Sequence, residues 1–283
     1  MNAAKTWTLM AALTVILVLI GHFIGGSRGM LIFLLISIAM NAFAYWTSGT
    51  MAIRLTQSYP VTEAEAPELY QIIRRLARRA NLPMPEIYVT PSEQPNAFAT
   101  GRNPQNAKVA VTEGILRLMP SDELEGVLAH EMAHVKNRDI LISSMAAVMA
   151  GAITSIANIL QWTMIFGGEE RDREGGNVAA EIAMMILAPL AATVIQLAIS
   201  RAREYRADAT GARLMGDPRP LANALERLEQ YHGRPMYQAR PATAHMFIMN
   251  PLHGQSLLNL FSTHPPMEER VRRLRNMNIH RMN

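Results

Sequence analysis

Four long stretches of this chain carry almost no charge and are rich in aliphatic side chains. They cover about residues 7–24, 30–46, 140–168 and 182–200. Each is close to or above the roughly 17–25 residues that an α-helix needs to cross the hydrocarbon core of a bilayer. The pattern therefore predicts an α-helical integral membrane protein with four transmembrane helices.

A removable signal peptide does not explain the first stretch. No A-x-A-like cleavage site follows it, and a second apolar run begins almost at once. For the third and fourth stretches, a buried helical hairpin of a soluble domain remains an alternative. Four spans would divide the chain into a transmembrane hairpin (1–50), a first polar part (51–139), a second transmembrane hairpin (140–200) and a second polar part (201–283).

The first polar part begins with the pattern of an amphipathic helix and continues with short β-type runs. Residues 67–82 place Leu69, Ile72, Ile73 and Leu76 on one helical face. The β-type runs cover 86–90, 96–100 and 108–112. We expect a mainly α, α+β domain that carries a small antiparallel sheet. The arginines at 74, 75, 78 and 79 fit a solvated helix face, and attraction to anionic lipid is the alternative.

The basic residues are divided very unevenly between the two sides that four spans would create. One lies at Lys5, ten lie between Arg54 and Arg138, and thirteen lie between Arg201 and Arg281, which is 24 of the total of 27. Because cytoplasmic segments carry the excess of Lys and Arg, both polar parts and both termini are predicted to be cytoplasmic. This distribution accounts for the net charge of +4 without a nucleic-acid partner.

One stretch between the second and third apolar runs indicates a metal site. His130 and His134 lie one helical turn apart, so both imidazoles project from one face and can hold one Zn²⁺. Glu131 is placed to take a proton from the zinc-bound water, as in H-E-x-x-H metalloproteases. Ser121 is the expected N-cap of this helix. Two ordinary core histidines are the alternative, because so short a pattern also arises by chance.

An acidic pair after the fourth run supplies further context. Glu204 and Asp208 lie at i and i+4 on one helical face. Glu204 can be the third zinc ligand, and Asp208 can accept a hydrogen bond from a ligating imidazole. Ion pairs with neighbouring arginines are the alternative, but both clusters adjoin the cytoplasmic ends of successive spans and therefore converge. The chain has no cysteine, so only His and carboxylate ligands are available.

These motifs resemble those of the HtpX family of bacterial membrane zinc metalloproteases, gluzincins related to the prenyl-protein endopeptidases. The resemblance is carried by the runs 96–101 (N-A-F-A-T-G), 130–134 (H-E-M-A-H), 204–208 and 264–266 (H-P-P), and it extends over nearly the whole chain. It implies a zincin-like cytoplasmic catalytic domain with one Zn²⁺ per chain. It also implies a multi-pass protein of the bacterial inner membrane that degrades misfolded or damaged membrane proteins in quality control and the stress response.

Two further candidate elements have weaker support. The strand formed by Asn96, Ala97, Phe98, Ala99 and Thr100 can pair with an extended peptide substrate through its backbone, and an ordinary sheet edge is the alternative. In similar proteins the His-Pro element lies near the active site. We therefore expect His264 to stabilise the oxyanion or to visit the zinc, and a helix-entry residue is the alternative.

The sequence thus predicts a zinc metalloendopeptidase in which Glu131 takes the proton of the water and passes it to the leaving amine. The expected partners are unfolded or damaged membrane proteins and the lipid bilayer. No nucleotide is expected, since the chain has no G-x-x-x-x-G-K-[ST] motif. A membrane-bound metal-binding or chaperone-like protein is the alternative, although it would not need Glu131. A transporter is disfavoured because only Glu181 is acidic in or beside the spans.

Overall fold

The computed structural model describes residues 2–145, 200–231 and 265–278. The helices are α1 (Asn2–Leu55), α2 (Pro67–Ala80), α3 (Glu113–Leu118), α4 (Ser121–Lys136), α5 (Arg201–Met215), α6 (Arg219–Tyr231) and α7 (Met267–Arg275). The strands are β1 (Tyr59–Pro60), β2 (Glu86–Thr90), β3 (Ala97–Thr100) and β4 (Lys108–Thr112). Residues 140–145 are also helical.

Helix α1 consists of two helices that meet at a glycine kink. Gly25 and Gly26 depart from helical geometry, and Gly26 has φ 57° and ψ −142°, a backbone conformation that favours glycine. The two halves then lie side by side: the Asn41 side chain on the second donates to the Thr14 hydroxyl oxygen on the first, at 2.9 Å. The first two apolar runs of the sequence therefore pack against each other.

Within residues 2–145, 200–231 and 265–278, one helical segment is long and apolar enough to cross a bilayer. It is Gly25–Leu55, with 31 residues and a mean hydropathy of 1.8 over its most apolar window. Only 17% of that window is buried inside the protein, which is unlike the core helix of a soluble domain. The apolar helical stretch Met10–Leu19 is shorter than a span. The predicted third and fourth spans fall almost wholly outside the described residues, so the number of four spans stays a prediction.

The amphipathic pattern after the first hairpin forms α2, as predicted. Its apolar face is buried, and the helix ends at Asn81 in the left-handed conformation. The arginines on its other face largely have partners within the protein: Arg74 pairs with Glu63, and Arg75 pairs with Glu125 of α4. These contacts tie α2 to its neighbours, while the Arg74 and Arg75 side chains stay 40% and 44% exposed.

The predicted strands are present, but the prediction of an antiparallel sheet is wrong. The sheet is mixed, in the order β1-β2-β4-β3. Strands β2 and β4 are parallel, with Ile87 opposite Val109, whereas β3 runs antiparallel to β4, with Phe98 opposite Ala110. The short β1 pairs antiparallel to β2 and was not predicted. Alternation of apolar and polar residues indicates which face of a strand is buried, but it does not say which strand is its neighbour.

Helix α4 lies at the centre of the main core and packs against α2, α5, α6 and β3. Eleven of its residues are buried, as is typical of a helix covered on nearly all sides. The core also includes apolar residues of α5, α6 and α7, so it joins the two polar parts of the sequence. The helix starts at Ser121 with Pro120 in the cap position, so Ser121 is not the N-cap.

The C-terminal end of α1 packs against the outer face of the sheet. Ala52 and Ile53 form a second apolar cluster with Phe98 of β3 and Ala110 of β4. The apolar helix Gly25–Leu55 therefore continues directly onto the sheet, and its last turns contact the strand that adjoins α4.

We predict that Gly126→Ala destabilises the protein. A Cβ at Gly126 would lie 2.6 Å from the backbone nitrogen of Leu221, so the substitution would force α4 and α6 apart. Overpacking of this kind costs about 1–3 kcal/mol of unfolding free energy. Denaturation of the full chain in detergent, followed by circular dichroism, measures the change. Gly25→Ala is the control, since its added methyl group would meet no atom within 4 Å. Equal destabilisation by both substitutions would contradict the prediction.

Candidate metal centre and active site

Helices α4 and α5 bring three candidate metal ligands together. His130 and His134 lie one turn apart on α4, and Glu204 lies in the first turn of α5. One ligand atom from each residue lies within 4.8 Å of the other two. His130 and Glu204 are buried, whereas His134 is partly exposed.

The separations between these atoms fit a tetrahedral zinc ion. His130 Nε2 lies 3.1 Å from His134 Nε2 and 3.6 Å from Glu204 Oε2. His134 Nε2 lies 3.7 Å from Glu204 Oε1. Two ligand atoms that are each about 2.1 Å from a tetrahedral zinc would be about 3.4 Å apart. The donor types suit the ion, and the separations are close to this value, with the two histidines nearest to different oxygens of Glu204.

Behind His130, a carboxylate and a guanidinium group are buried in series. The Nδ1 of His130 lies 2.8 Å from Asp208 Oδ1. Arg270, which is only 1% exposed, donates to both carboxylate oxygens of Asp208, at 2.7 and 2.9 Å. A proton held at Nδ1 by Asp208 leaves the lone pair of Nε2 directed to the metal, which is the tautomer that a ligand needs.

The protonation of these groups follows from burial and from their neighbours. Burial acts to lower the pKa of His130, but hydrogen bonds to Asp208 and Glu204 outweigh it and raise the pKa to about 9. Burial acts to raise the pKa of Asp208, yet the charge of Arg270 and the hydrogen bonds from His130 and Arg270 hold it below its usual range. The group thus attracts positive charge, and a metal ion would compete with the proton on His130.

His134 has a carboxylate partner of its own, which the sequence analysis did not identify. Its Nδ1 lies 3.2 Å from Asp139 Oδ2, and Asp139 is 2% exposed. The chain turns at Arg138, which has φ 57°, and the Asp139 amide then donates to the His134 carbonyl. The available signal was an acidic residue shortly after the end of the histidine helix. Each candidate histidine ligand is therefore oriented by one carboxylate.

With both imidazoles neutral, as metal ligands require, the buried charges around them do not balance without a cation. The carboxylates are those of Glu131, Asp139, Glu204 and Asp208, and the guanidinium groups are those of Arg203 and Arg270; each of these residues is at most 6% exposed. Four negative and two positive charges leave a formal excess of two negative charges. A divalent cation at the His130, His134 and Glu204 group would cancel that excess.

Glu131 lies between this group and the terminal strand of the sheet. Its Oε2 accepts a hydrogen bond of 2.9 Å from the backbone N–H of Ala99 in β3. Burial raises the pKa of Glu131, although the imidazoles of His130 and His134 act in the opposite direction. A carboxylate with a raised pKa is better matched to general-base chemistry near neutral pH.

The candidate substrate strand lies at the edge of the sheet, beside α4. All four residues of β3 are buried, and the Asn96 backbone exchanges hydrogen bonds with Thr112. The other candidate catalytic residue, His264, lies outside the described residues. Pro266 occupies the N-cap of α7, the helix that carries Arg270.

Arg270 and Arg203 were also missed by the sequence analysis. Arg270 lies within an arginine-rich helix, but it shares the buried face with Leu274, and that spacing was the available signal. Arg203 is adjacent to Glu204, and burial lowers its pKa although the charges of Asp139 and Glu204 act in the opposite direction. Its arginine-rich surroundings gave no reason to expect a buried side chain.

The comparison with known proteins agrees with this geometry. Residues 63–278 match the sequence profile of Peptidase family M48. The chain belongs to peptidase family M48. The matched range includes the three candidate metal ligands His130, His134 and Glu204, and also the buried Arg270.

Relatives that match this M48 peptidase over nearly its whole length carry the name "Protease HtpX homolog". The protein from Pelotomaculum thermopropionicum is 58% identical over 99% of this chain and 100% of its own length. Those from Pyrococcus furiosus and Burkholderia mallei are 53% and 54% identical, covering 96% and 98% of this chain and 94% and 97% of their own lengths. The resemblance to the HtpX family is therefore confirmed.

The fold of this M48 peptidase is similar to that in the crystal structure of S. mikatae Ste24p. The TM-score is 0.52 and the sequence identity is 19%, over 96% of this chain and 65% of the Ste24p chain. At this identity the likeness concerns the fold alone. Family membership establishes the class of enzyme: the protein is a peptidase, and its substrates are peptides or proteins.

We predict that Asp139→Asn and Asp208→Asn each weaken zinc binding by about 10–100-fold, because each removes the charge that orients and polarises one histidine. Titration of the full chain against a competing chromogenic chelator measures the affinity. Asp122→Asn is the control, since Asp122 is exposed at the start of α4. An unchanged affinity in both test variants would show that these carboxylates do not support metal ligands.

We also predict that Arg270→Met is strongly destabilising. It leaves the Asp208 carboxylate buried without its cation, and breaking a buried ion pair from one side costs about 3–5 kcal/mol. Chemical denaturation of the full chain in detergent measures the loss. Arg272→Met is the control on the same helix, because Arg272 is 68% exposed and pairs with Glu269 at the surface. The prediction fails if the two variants unfold at the same denaturant concentration.

Proposed function

We propose that this M48 peptidase is a zinc-dependent membrane endopeptidase. It cleaves misfolded or damaged membrane proteins at the cytoplasmic face of the bacterial inner membrane. The observation that carries this proposal is the buried group of His130, His134 and Glu204, with the Glu131 carboxylate beside it. In this assignment one Zn²⁺ is held by the three residues, and the peptide bond is hydrolysed next to them.

The metal would supply Lewis acidity, which lowers the pKa of water and polarises the scissile carbonyl. The residues of the chain would transfer the proton and orient the ligands. Glu131 takes the proton of the attacking water on its buried carboxylate and returns it to the amine that leaves. Asp208 and Asp139 keep the two imidazoles in the tautomer that directs Nε2 to the metal. Arg270 holds Asp208 in place through two hydrogen bonds.

Substrate binding is proposed for the strand that precedes this group. Within the candidate run 96–100, β3 (Ala97–Thr100) forms the sheet edge beside α4, and its Ala99 amide donates a hydrogen bond to Glu131. An extended peptide that adds to this edge would bring its own backbone next to the general base. Such pairing uses main-chain groups, which suits an enzyme that acts on many damaged proteins. His264 retains the role of oxyanion donor in this proposal.

The location is inferred from charge and from the helix Gly25–Leu55. That helix is apolar where it would cross the bilayer, and its last turns rest on the sheet, which supports a catalytic domain close to the membrane surface. The excess of Lys and Arg on the segments 51–139 and 201–283 supports a cytoplasmic orientation, with both termini on the same side.

We predict that Glu131→Gln abolishes proteolysis while zinc remains bound. The substitution keeps the size of the side chain and removes the base, and general-base catalysis contributes about 10²–10⁴-fold in rate. Cleavage of a loosely folded test protein by the purified full chain in detergent measures activity, and atomic absorption measures zinc content. Glu229→Gln is the matched control, because Glu229 is exposed on α6.

The outcomes of this experiment discriminate between the candidate functions. Equal cleavage by the native chain and Glu131→Gln would reject Glu131 as the base. No cleavage by the native chain at full zinc occupancy would favour the metal-binding or chaperone-like alternative. Loss of zinc from the variant would mean that Glu131 contributes to the metal site itself.

A further inference from the structure

The backbone of strand β3 bonds alternately in two directions. The Asn96 carbonyl, just before the strand, accepts a hydrogen bond of 2.9 Å from the Thr112 amide, next to β4 in register. Residues of an antiparallel pair alternate between those whose backbone groups bond the neighbouring strand and those whose groups point away from it. Even-numbered positions therefore bond to β4, whereas the amides of Ala99 and Gly101 point away from β4.

Both of these outward amides are bound by a side chain of the protein. The Ala99 amide donates to Glu131 Oε2 at 2.9 Å, and the Gly101 amide donates to Ser144 Oγ at 3.1 Å. Glu131 belongs to α4, and Ser144 belongs to the helical residues 140–145 that follow it. The strand is therefore held at two successive outward positions, about 6–7 Å apart along the chain.

The Ser144 hydroxyl uses its full hydrogen-bonding capacity. Its oxygen lies 2.7 Å from the Ile140 carbonyl, which can only accept, so Ser144 donates its proton there. The Thr100 hydroxyl, at 2.6 Å, must then donate to Ser144, as the Gly101 amide does. One donated and two accepted bonds are the limit for a hydroxyl group. Ser144 and Thr100 are both 0% exposed, so loss of the Ser144 oxygen would deprive two buried donors of their acceptor.

The segment that carries Ser144 is itself fixed to the histidine helix. The Asp139 amide donates to the His134 carbonyl at 2.9 Å, and the Asp139 carboxylate lies 3.2 Å from His134 Nδ1. Ser144 follows Asp139 by only five residues. Strand β3 is thus joined to α4 at two places, directly through Glu131 and indirectly through the segment 139–144.

The glycine at position 101 explains why the second contact matters. Gly101 has φ 134°, a conformation that favours glycine, and a Cβ there would clash with the Asn106 carbonyl oxygen. No larger side chain can therefore pack at this position to hold the end of the strand. Glycine also has the greatest backbone freedom of all residues. The Ser144 hydroxyl supplies the restraint that this glycine lacks.

We propose that Ser144 is a positioning residue for peptide hydrolysis. Its hydroxyl holds Thr100 and Gly101, and so keeps the substrate edge of β3 and the Ala99 amide aligned with Glu131. The inference rests on the proposed function, in which Glu131 is the general base and β3 binds the peptide. It adds to that function a residue at the start of the third apolar run that acts through the strand.

The first test is kinetic. We expect Ser144→Ala in the full chain in detergent to lower kcat on a quenched fluorescent peptide about 10–100-fold, because a displacement of about 1 Å can cost about 100-fold in rate. Zinc content and KM should stay near their native values, since the base is needed in the transition state. Ser143→Ala is the matched control, because the Ser143 hydroxyl bonds to the Asp139 carbonyl of its own segment at 3.5 Å.

A second variant tests the same contact from the other side. Thr100→Val removes only the hydroxyl that donates to Ser144, so it should lower kcat by a smaller factor. Groups that act as one unit are not additive, so the double variant should be no slower than Ser144→Ala alone. Thr100→Val also carries the kinetic test if Ser144→Ala does not fold.

The third test follows the strand without any cleavage. Amide hydrogen exchange of the zinc-loaded chain, read by mass spectrometry, reports the segment 97–103. We expect Ser144→Ala to speed exchange there about 2–10-fold, the equivalent of one hydrogen bond. Ser143→Ala should leave the exchange of this segment unchanged.

The outcomes separate this proposal from the proposed function. Native kcat in Ser144→Ala, with or without faster exchange, would overturn the positioning role. A loss of zinc that parallels the loss of activity would overturn it too, and would place the effect of Ser144 on the metal ligands. If the native chain cuts nothing at full zinc occupancy, the proposed function fails and the positioning role fails with it, while the exchange rates still show whether Ser144 holds the strand.

Discussion

The balance of buried charge around two imidazoles is the constraint on which the rest of this structure depends. Four carboxylates and two guanidinium groups lie buried around these imidazoles, where an unpaired charge is unfavourable. Asp208 and Arg270 form one pair, with His130 in contact with Asp208, and Asp139 contacts His134. With both imidazoles neutral, the remaining deficit of two positive charges has the magnitude of a divalent metal ion. The same buried carboxylates therefore bear both on the stability of this core and on its capacity to bind a metal.

Strand β3 connects this charge cluster to the apolar helices. On one side its Ala99 amide contacts Glu131, and on the other its Phe98 side chain packs against Ala52 and Ile53 of α1. At its end, the Thr100 hydroxyl and the Gly101 amide both contact the Ser144 hydroxyl, in the helical residues 140–145. The edge strand is thus held from both directions by segments that adjoin the predicted spans.

The chemistry of the centre could be predicted from the sequence better than its surroundings. The spacing of His130 and His134, and of Glu204 and Asp208, follows from helix periodicity, so which of them share a face was predictable. The contact between the histidine pair of α4 and the acidic pair of α5 was predicted from one further observation, that both pairs adjoin the ends of predicted spans. Asp139 depends on the left-handed turn at Arg138, and Arg270 depends on packing against a distant helix. Each residue has a weak local signal, but that signal does not specify which side chain it contacts. The parallel pairing of β2 and β4 was missed for the same reason, since strand order is a long-range property.

The residues of the candidate centre lie in distant parts of the chain. Their order therefore determines at what stage of synthesis the centre can assemble. His130, Glu131 and His134 emerge early in synthesis, but Glu204 follows only after the intervening segment 135–203, and Arg270 comes near the C-terminus. Until Glu204 emerges, the nascent chain has two candidate ligands and the candidate base but not the third candidate ligand. The order of residues along the chain therefore delays assembly of the candidate centre until the second polar part has been made.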